Sequence, residues 1–132
     1  MRIYPTRERG NPMEIEQISV FIENKAGRLA RVTDVLSEAG IYIKSMIVTD
    51  TTDFGVLRML VDDPQKAVKA LENKGFASSI ALVNAVELKT TPHEMHKLLL
   101  LLNNTGINVE YMYAYTQPTA GKRYDHDDFY VG

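Results

Sequence analysis

A strand–loop–helix–turn–strand unit between Gln17 and Thr49 constrains the fold more than any other feature of the sequence. Its first strand is indicated by apolar residues that alternate with more polar ones. A helix follows, because apolar residues then recur three and four positions apart, and Gly40 is a typical helix stop. The strand residues are Ile18, Val20 and Ile22, the helix residues are Leu29, Val32, Leu36 and Ala39, and Ile41, Ile43 and Ile47 resume a strand.

The segment after this unit completes a domain. Phe54–Val61 is predicted to be a strand, with Leu57, Met59 and Val61 on one face. Asp63 can cap a helix that starts at Pro64 and ends at Gly75, and a last strand begins near Ile80. The order β-α-β-β-α-β predicts an α+β, ferredoxin-like sandwich with two helices on one face of a four-stranded antiparallel sheet.

The opening unit recurs 66 positions later without a gap. Gly40 then falls on Gly106, and the shift predicts a strand at 85–89, a helix at about 92–104 and a strand at 107–115. The chain is therefore interpreted as a tandem repeat, with a first domain at 13–83 and a second at 84–132.

The second copy is expected to be incomplete, truncated or degenerate after about residue 116. Its third strand should fall at 120–127, where AGKRYDHD does not resemble a buried strand. Without it the neighbouring strands would have open edges. The sequence leaves three explanations open for the missing third strand. The tail from Lys122 to Val131 could supply a poor substitute, another chain could fill the gap, or the sequence could be a truncated or frame-shifted reading.

Composition excludes several classes of protein. A net charge of −2 gives no general attraction to nucleic acid or acidic lipid. The absence of cysteine excludes a disulfide scaffold, a catalytic thiol and a thiolate metal site, and favours the cytoplasm. No apolar run has membrane-spanning length. Residues 1–12 show no period and are expected to be a disordered extension or to precede a start at Met13; a basic arm is the alternative.

These residues carry a family resemblance. A strand that ends in Glu-Asn-Lys-Ala-Gly-Arg-Leu, followed after eleven residues by Gly-Ile-Tyr-Ile, resembles the ACT domain, and the repeat resembles the bacterial tandem ACT proteins. The resemblance covers about residues 13–116. It implies an allosteric regulatory module without catalysis or cofactor, which binds amino acids or similar carboxylates and pairs its domains side by side.

The resemblance also implies a ligand site. In the family, the effector lies between the loop after the first strand of one domain and the start of the second strand of its neighbour. The loop residues here are Asn24, Lys25, Ala26, Gly27, Arg28 and Leu29, and the family's asparagine matches Asn108. Each copy departs from the pattern once: Tyr42 replaces the asparagine in the first, and His93, after Pro92, replaces the glycine in the second.

One composite site, formed by the loop and Asn108, is the hypothesis that follows. The start of a helix near Gly27 suits a carboxylate, although the dipole contributes only about 0.3–1 kcal/mol. A second candidate site combines Tyr42 with Pro92 and His93 and would be crowded. In the plainer interpretation, these residues bind no ligand. The loop is a capped turn, Gly27 only allows the backbone to turn, and Asn108 is a turn residue.

Other sites are disfavoured. His93, His96 and His126 suggest a metal site, but solvated surface histidines explain them better. Arg28 suggests an anion site like that of acylphosphatases, which have a similar topology. The glycine-rich loop that holds phosphate in those enzymes is absent around Arg28. RNA binding on a sheet of this topology would need more aromatic residues in the third strand. No cofactor, metal or catalytic arrangement is predicted.

A run of five leucines, Leu98–Leu102, lies on the helix of the second copy. Leu98, Leu99 and Leu102 can face the sheet with Met95, which leaves Leu100 and Leu101 outward. Either core packing or a homodimer surface would explain them, and the same holds for three tyrosines on one strand face, Tyr111, Tyr113 and Tyr115.

The sequence therefore predicts a cytoplasmic, non-enzymatic protein that binds an amino-acid effector as a homodimer or higher homo-oligomer. The alternative is an interaction subunit that docks on an amino-acid biosynthetic enzyme, as an acetolactate-synthase-like small subunit does, without a ligand of its own. No nucleic acid or membrane partner is predicted.

Overall fold

A computed structural model of the chain describes residues 2–3, 14–23, 25–50, 54–89, 91–115 and 126–131. Two compact units are present: a first unit, Glu16–Ala81, and a second unit, which comprises Met1–Ile15 and Leu82–Gly132. The strands are β1 (Arg2–Ile3), β2 (Glu14–Glu23), β3 (Ile43–Asp50), β4 (Phe54–Val61), β5 (Ala77–Lys89), β6 (Met112–Tyr115) and β7 (His126–Val131). The helices are α1 (Arg28–Glu38), α2 (Pro64–Asn73) and α3 (Glu94–Asn104).

The sheet of the first unit has the predicted ferredoxin-like topology. Its strand order is β3-β4-β2-β5, so that the third strand of the unit lies between the first and the second. Both pairings of β4 are antiparallel, and Leu57 is opposite Val20 on β2 and Val48 on β3. The α+β fold class expected from the sequence is confirmed.

The core of the first unit follows the predicted periods. Alternate residues of β2 and β4 are buried against α1 and α2, as the period of two requires. Leu29 was expected to belong to this core, but it is 38% exposed, because it lies in the first turn of α1. Val35 contributes instead. The buried set is Ile18, Val20, Ile22, Val32, Val35, Leu36, Ile41, Leu57, Met59, Val61, Ala67 and Leu71.

The helix ends match their sequence signals. The Asp63 side chain accepts a hydrogen bond from the Lys66 backbone N–H at 3.2 Å, which caps α2 ahead of Pro64. Gly40 has φ 73°, the left-handed conformation predicted for a helix stop, and Gly106 repeats it at φ 74°.

In the second unit, three strands are paired in the order β5-β7-β6. β7 pairs antiparallel with both neighbours and so takes the position of the third strand. The expectation that this strand falls at 120–127 is wrong: Phe129 pairs with Val86 as Leu57 pairs with Val20, which is a shift of 72 positions rather than 66. A connection six residues longer separates the second and third strands of this unit.

The N-terminal extension contains β1, which pairs antiparallel with β5, Arg2 opposite Glu87 and Ile3 opposite Val86. β1 therefore flanks β5 on the side opposite β7, where a fourth strand would lie. The disorder expected for residues 1–12 does not apply to residues 2 and 3. The remainder of that extension lies outside the described residues, and the domain boundaries at 13 and 84 stay a prediction.

The second unit differs from the sequence prediction around its helix. The strand expected at 107–115 begins only at Met112, and α3 begins at Glu94. Val86, Leu88 and Leu98 form the core, against which Met95, Leu102 and Met112 pack. Leu99, expected to face the sheet, is 43% exposed.

Across the described residues, no helix is long and apolar enough to cross a membrane.

Candidate functional site

The loop between β2 and α1 is exposed and turns through Gly27. Gly27 is the N-cap residue of α1 with φ 85°, a conformation that costs other residues about 1–2 kcal/mol. A Cβ built at this position would meet nothing within 4 Å. Backbone conformation therefore explains the glycine without any close approach of the chain, and Asn24, the first residue of the predicted site, lies outside the described residues.

Two cations of this loop share one carboxylate. Glu23 Oε2 lies 3.1 Å from Lys25 Nζ and 3.5 Å from Arg28 Nη2. The hydrogen bond from Lys25, with the positive charges of Lys25 and Arg28, lowers the pKa of Glu23 below its ordinary value. An anionic ligand at this loop would meet two cations together with the carboxylate that already pairs with them.

The start of α1 presents backbone groups rather than a capping side chain. Gly27 has no side chain with which to cap the helix, and its carbonyl accepts the Arg31 N–H at 3.0 Å. The Arg28 N–H donates to the Lys25 carbonyl at 3.3 Å. The positive end of the helix dipole lies here, beside the exposed Leu29, so that this end favours a carboxylate.

An open groove of about 410 Å³ lies at the other end of α1. Its lining is uncharged and includes three hydroxyl groups, and the Thr33 hydroxyl already donates to the Ala30 carbonyl at 2.9 Å. The negative end of the helix dipole lies at this end, which favours an ammonium group. The lining residues are Thr33, Ser37, Gly40, Ile41, Tyr42 and Ile43.

The loop and the groove are separate places within the first unit. α1 has 11 residues, and an α-helix of that length spans about 16 Å. A single amino acid is too short to contact both Gly27 and Tyr42 of the same unit. The two halves of the family motif within this unit therefore do not form one amino-acid site by themselves.

In the second unit, too, the two halves of the family motif lie at opposite ends of a helix. Pro92 and His93 are exposed at the start of α3, where His93 is the N-cap residue and makes no capping hydrogen bond with its side chain. Asn108 is exposed beyond the other end of α3, between the helix and β6. The combination of the loop with Asn108, and that of Tyr42 with His93, stay predictions.

The groove residues Thr33 and Ser37 were not identified from the sequence. They lie four positions apart, and hence on one flank of α1, which is the signal that could have indicated them. The suggested histidine site has no support from geometry, because no three His, Cys, Asp or Glu side chains in the described ranges are placed to hold a metal ion. His93 and His96 lie in those ranges, whereas only the backbone of His126, in β7, is described.

Known proteins resemble this chain over most of its length. A crystal structure of a protein from Bacteroides thetaiotaomicron is 34% identical, with a TM-score of 0.80, and the match covers 91% of this chain and 79% of that one. The ligand-free regulatory subunit of aspartate kinase from Thermus thermophilus is 20% identical, with a TM-score of 0.67 and coverages of 90% and 83%; it shares the fold.

A curated relative is named as the acetolactate synthase small subunit of Buchnera aphidicola subsp. Baizongia pistaciae. It is 25% identical over 91 residues, which are 67% of this chain, and the match spans only 57% of the relative's length. The family profile described as an ACT domain pair matches residues 13–123. The chain therefore belongs to the ACT domain pair family.

Proposed function

We propose that this chain is a non-catalytic regulatory protein that binds an amino acid or a related small carboxylate. The exposed loop at the start of α1, in which Lys25 and Arg28 stand beside the positive end of the helix, is the observation that carries the proposal. Membership of the ACT domain pair family and the fold shared with an aspartate kinase regulatory subunit support it.

Lys25, Ala26, Gly27, Arg28 and Leu29 form the carboxylate-binding side of the proposed site. Asn108 is its amide side, because an amide can pair with either the ammonium or the carboxylate group of an amino acid. Both the loop and Asn108 are accessible. Asn24 completes the loop by family resemblance, and Tyr42, Pro92 and His93 belong to the second candidate site.

The second candidate function is a subunit that docks on an amino-acid biosynthetic enzyme without its own ligand. The resemblance to an acetolactate synthase small subunit favours it, at 25% identity over 91 residues. In either case we propose a cytoplasmic location and a homo-oligomeric state.

A thermal-shift panel of the full chain against the twenty amino acids at millimolar concentration tests the first function. A ligand at 100 times its Kd stabilises by about 2.7 kcal/mol, which should raise the Tm by roughly 5–20 °C. A rise confined to one class of side chain supports the sensor function. A panel without any shift contradicts it and favours the docking subunit.

The same panel run on Asn108→Ala tests the composite site. Asn108 is exposed, so its loss should leave the Tm without ligand unchanged while the ligand-induced shift disappears. Asn104→Ala, at an exposed position of α3, is the matched control and should keep the full shift. An unchanged shift in Asn108→Ala removes Asn108 from the site.

A further inference from the structure

Glu23 lies at the edge of the proposed carboxylate-binding loop and has the opposite charge to the two cations of that loop. Its Oε2 atom is 3.1 Å from Lys25 Nζ and 3.5 Å from Arg28 Nη2. The three side chains are 47%, 71% and 43% exposed, so that a small molecule can contact each of them. We call Glu23, Lys25 and Arg28 the charge triad.

The backbone holds the charge triad in one tight turn. The Lys25 N–H donates to the Glu23 carbonyl at 2.8 Å, and the Arg28 N–H donates to the Lys25 carbonyl at 3.3 Å. A carboxylate and two cations therefore stay close to one another at the end of β2. Because the two cations lower its pKa, Glu23 carries its negative charge at neutral pH.

The internal repeat indicates that the fold does not require these charges. The 66-position shift places Lys89 on Glu23 and Glu94 on Arg28, so that the second unit has the opposite charges at the two positions. β5 nevertheless ends at Lys89 and α3 begins at Glu94, just as β2 ends at Glu23 and α1 begins at Arg28. Strand and helix form with either sign of charge, so the fold alone does not explain the charge triad.

A simple carboxylate at this loop would compete with Glu23 for the same two cations. It would bring a second negative charge beside the first, which is unfavourable. An α-amino acid also has an ammonium group, which can pair with Glu23 while its carboxylate pairs with Lys25 and Arg28. Each charge of the triad then exchanges a partner in the protein for a partner on the ligand, and no charge is left unpaired.

We propose that Glu23 is a ligand-binding residue, which accepts the ammonium group and makes the loop selective for α-amino acids over carboxylates that lack an amino group. This inference rests on the proposed function, in which Lys25 and Arg28 bind the carboxylate. The loop of the second unit does not offer the same pairing, because Lys89 and Glu94 would repel the ammonium and the carboxylate. Of the two repeated loops, the first therefore selects the zwitterion.

Thermal-shift titrations of the full chain compare two sets of probes. One set is the twenty L-amino acids, and the other is the matching 2-hydroxy acids, in which a hydroxyl replaces the ammonium group. The dependence of Tm on ligand concentration gives each Kd. An amino acid that stabilises the native chain should bind roughly tenfold more tightly than its 2-hydroxy acid, the contribution of one charged hydrogen bond.

Glu23→Gln should remove this preference. Amino acids should bind the variant roughly tenfold more weakly, whereas 2-hydroxy acids should bind as tightly as before or more tightly, because the competing carboxylate is gone. A purely structural role of Glu23 would weaken both sets alike. Glu38→Gln, at an exposed acidic residue at the other end of α1, is the matched control and should keep the native preference.

The outcomes separate this inference from the proposed function. If 2-hydroxy acids bound the native chain as tightly as amino acids, or if Glu23→Gln kept the preference or weakened both sets alike, Glu23 would not accept the ammonium group. That result would overturn the inference and leave the proposed function in place. If neither set raised the Tm of the native chain, both would be wrong.

Discussion

The Asp62 carboxylate accepts a hydrogen bond from the Tyr42 backbone N–H at 3.0 Å. The Asp62 backbone N–H in turn donates to the Tyr42 carbonyl at 3.2 Å. This reciprocal pair joins the residue before β3 to the residue after β4 and fixes the wall of the groove at the end of α1. The groove thus depends on an acidic residue that does not line it.

Asp62→Ala should lower the free energy of unfolding by about 0.5–1.5 kcal/mol, the net contribution of one hydrogen bond. Urea denaturation measures the change. Asp62→Asn keeps an acceptor oxygen and should lose less than half as much. Equal losses in the two variants would show that the charge of Asp62, rather than its hydrogen bond to Tyr42, stabilises this corner.

Asp63→Ala should destabilise the first unit by about 1 kcal/mol, because the Asp63 side chain caps α2 through the Lys66 N–H. Asp63→Asn should restore most of the loss, since asparagine is an equally good cap. Thermal denaturation of the native chain and of the two variants measures their order of stability. If alanine and asparagine behaved alike, the cap would contribute nothing.

The sequence predicted the elements of the first unit because their signals are local. The cap at Asp63, the stop at Gly40 and the period of two in β2 each depend on neighbouring residues. The third strand of the second unit was misplaced because the prediction assumed a constant shift. Six extra residues before β7 break that shift, and pairing with β5 is a long-range contact that no local period reveals.

The candidate site was predicted less completely than the fold. The loop residues were identified by motif, and their exposure at the start of α1 agrees with a ligand-accessible position. The ion pairs of Glu23 with Lys25 and Arg28 were missed, since they depend on side-chain rotamers rather than on spacing. β1 was missed because two residues are too few to produce a periodic pattern.

The carboxyl group of Glu23 should titrate below 4.5, the ordinary value, because Lys25 and Arg28 stabilise its charged form. A folded pKa that lies below the unfolded one adds stability above the unfolded pKa, and that stability is lost as the pH falls through the folded pKa. An NMR titration of the Glu23 carboxyl carbon measures the shift. Lys25→Gln should raise this pKa most of the way back, since Lys25 is its largest cause.

The matched control is Lys66→Gln, at a lysine outside this cluster, which should leave the pKa of Glu23 unchanged. Glu23→Gln removes the titrating group, so the stability difference between it and the native chain should shrink as the pH falls below 4.5. A difference that stayed constant with pH would contradict the ion-pair geometry.

Gly27→Ala should lower stability and also abolish the ligand-induced thermal shift, because it alters the loop that carries the proposed site. Gly75 provides the matched control: its φ of 84° equals that of Gly27 within one degree, and neither position has an atom within 4 Å of a built Cβ. Both alanine variants should lose about 1–2 kcal/mol from left-handed strain. If both variants lost the ligand-induced shift, or if neither did, the loop around Gly27 would not be specifically involved in ligand binding.

Removal of residues 1–12 should destabilise the second unit, because β1 covers an edge of β5 through Arg2 and Ile3. Amide hydrogen exchange should become faster at whichever of Val86 and Glu87 directs its N–H toward β1, and stay unchanged at the other of the two and at Val20 in the first unit. Ile3→Pro should reproduce the effect in the full chain, because proline is poorly tolerated within a paired strand, whereas Ile3→Val, which suits a strand as well as isoleucine does, should not. Unchanged exchange in the shortened chain would restore the view that the extension is a disordered appendage.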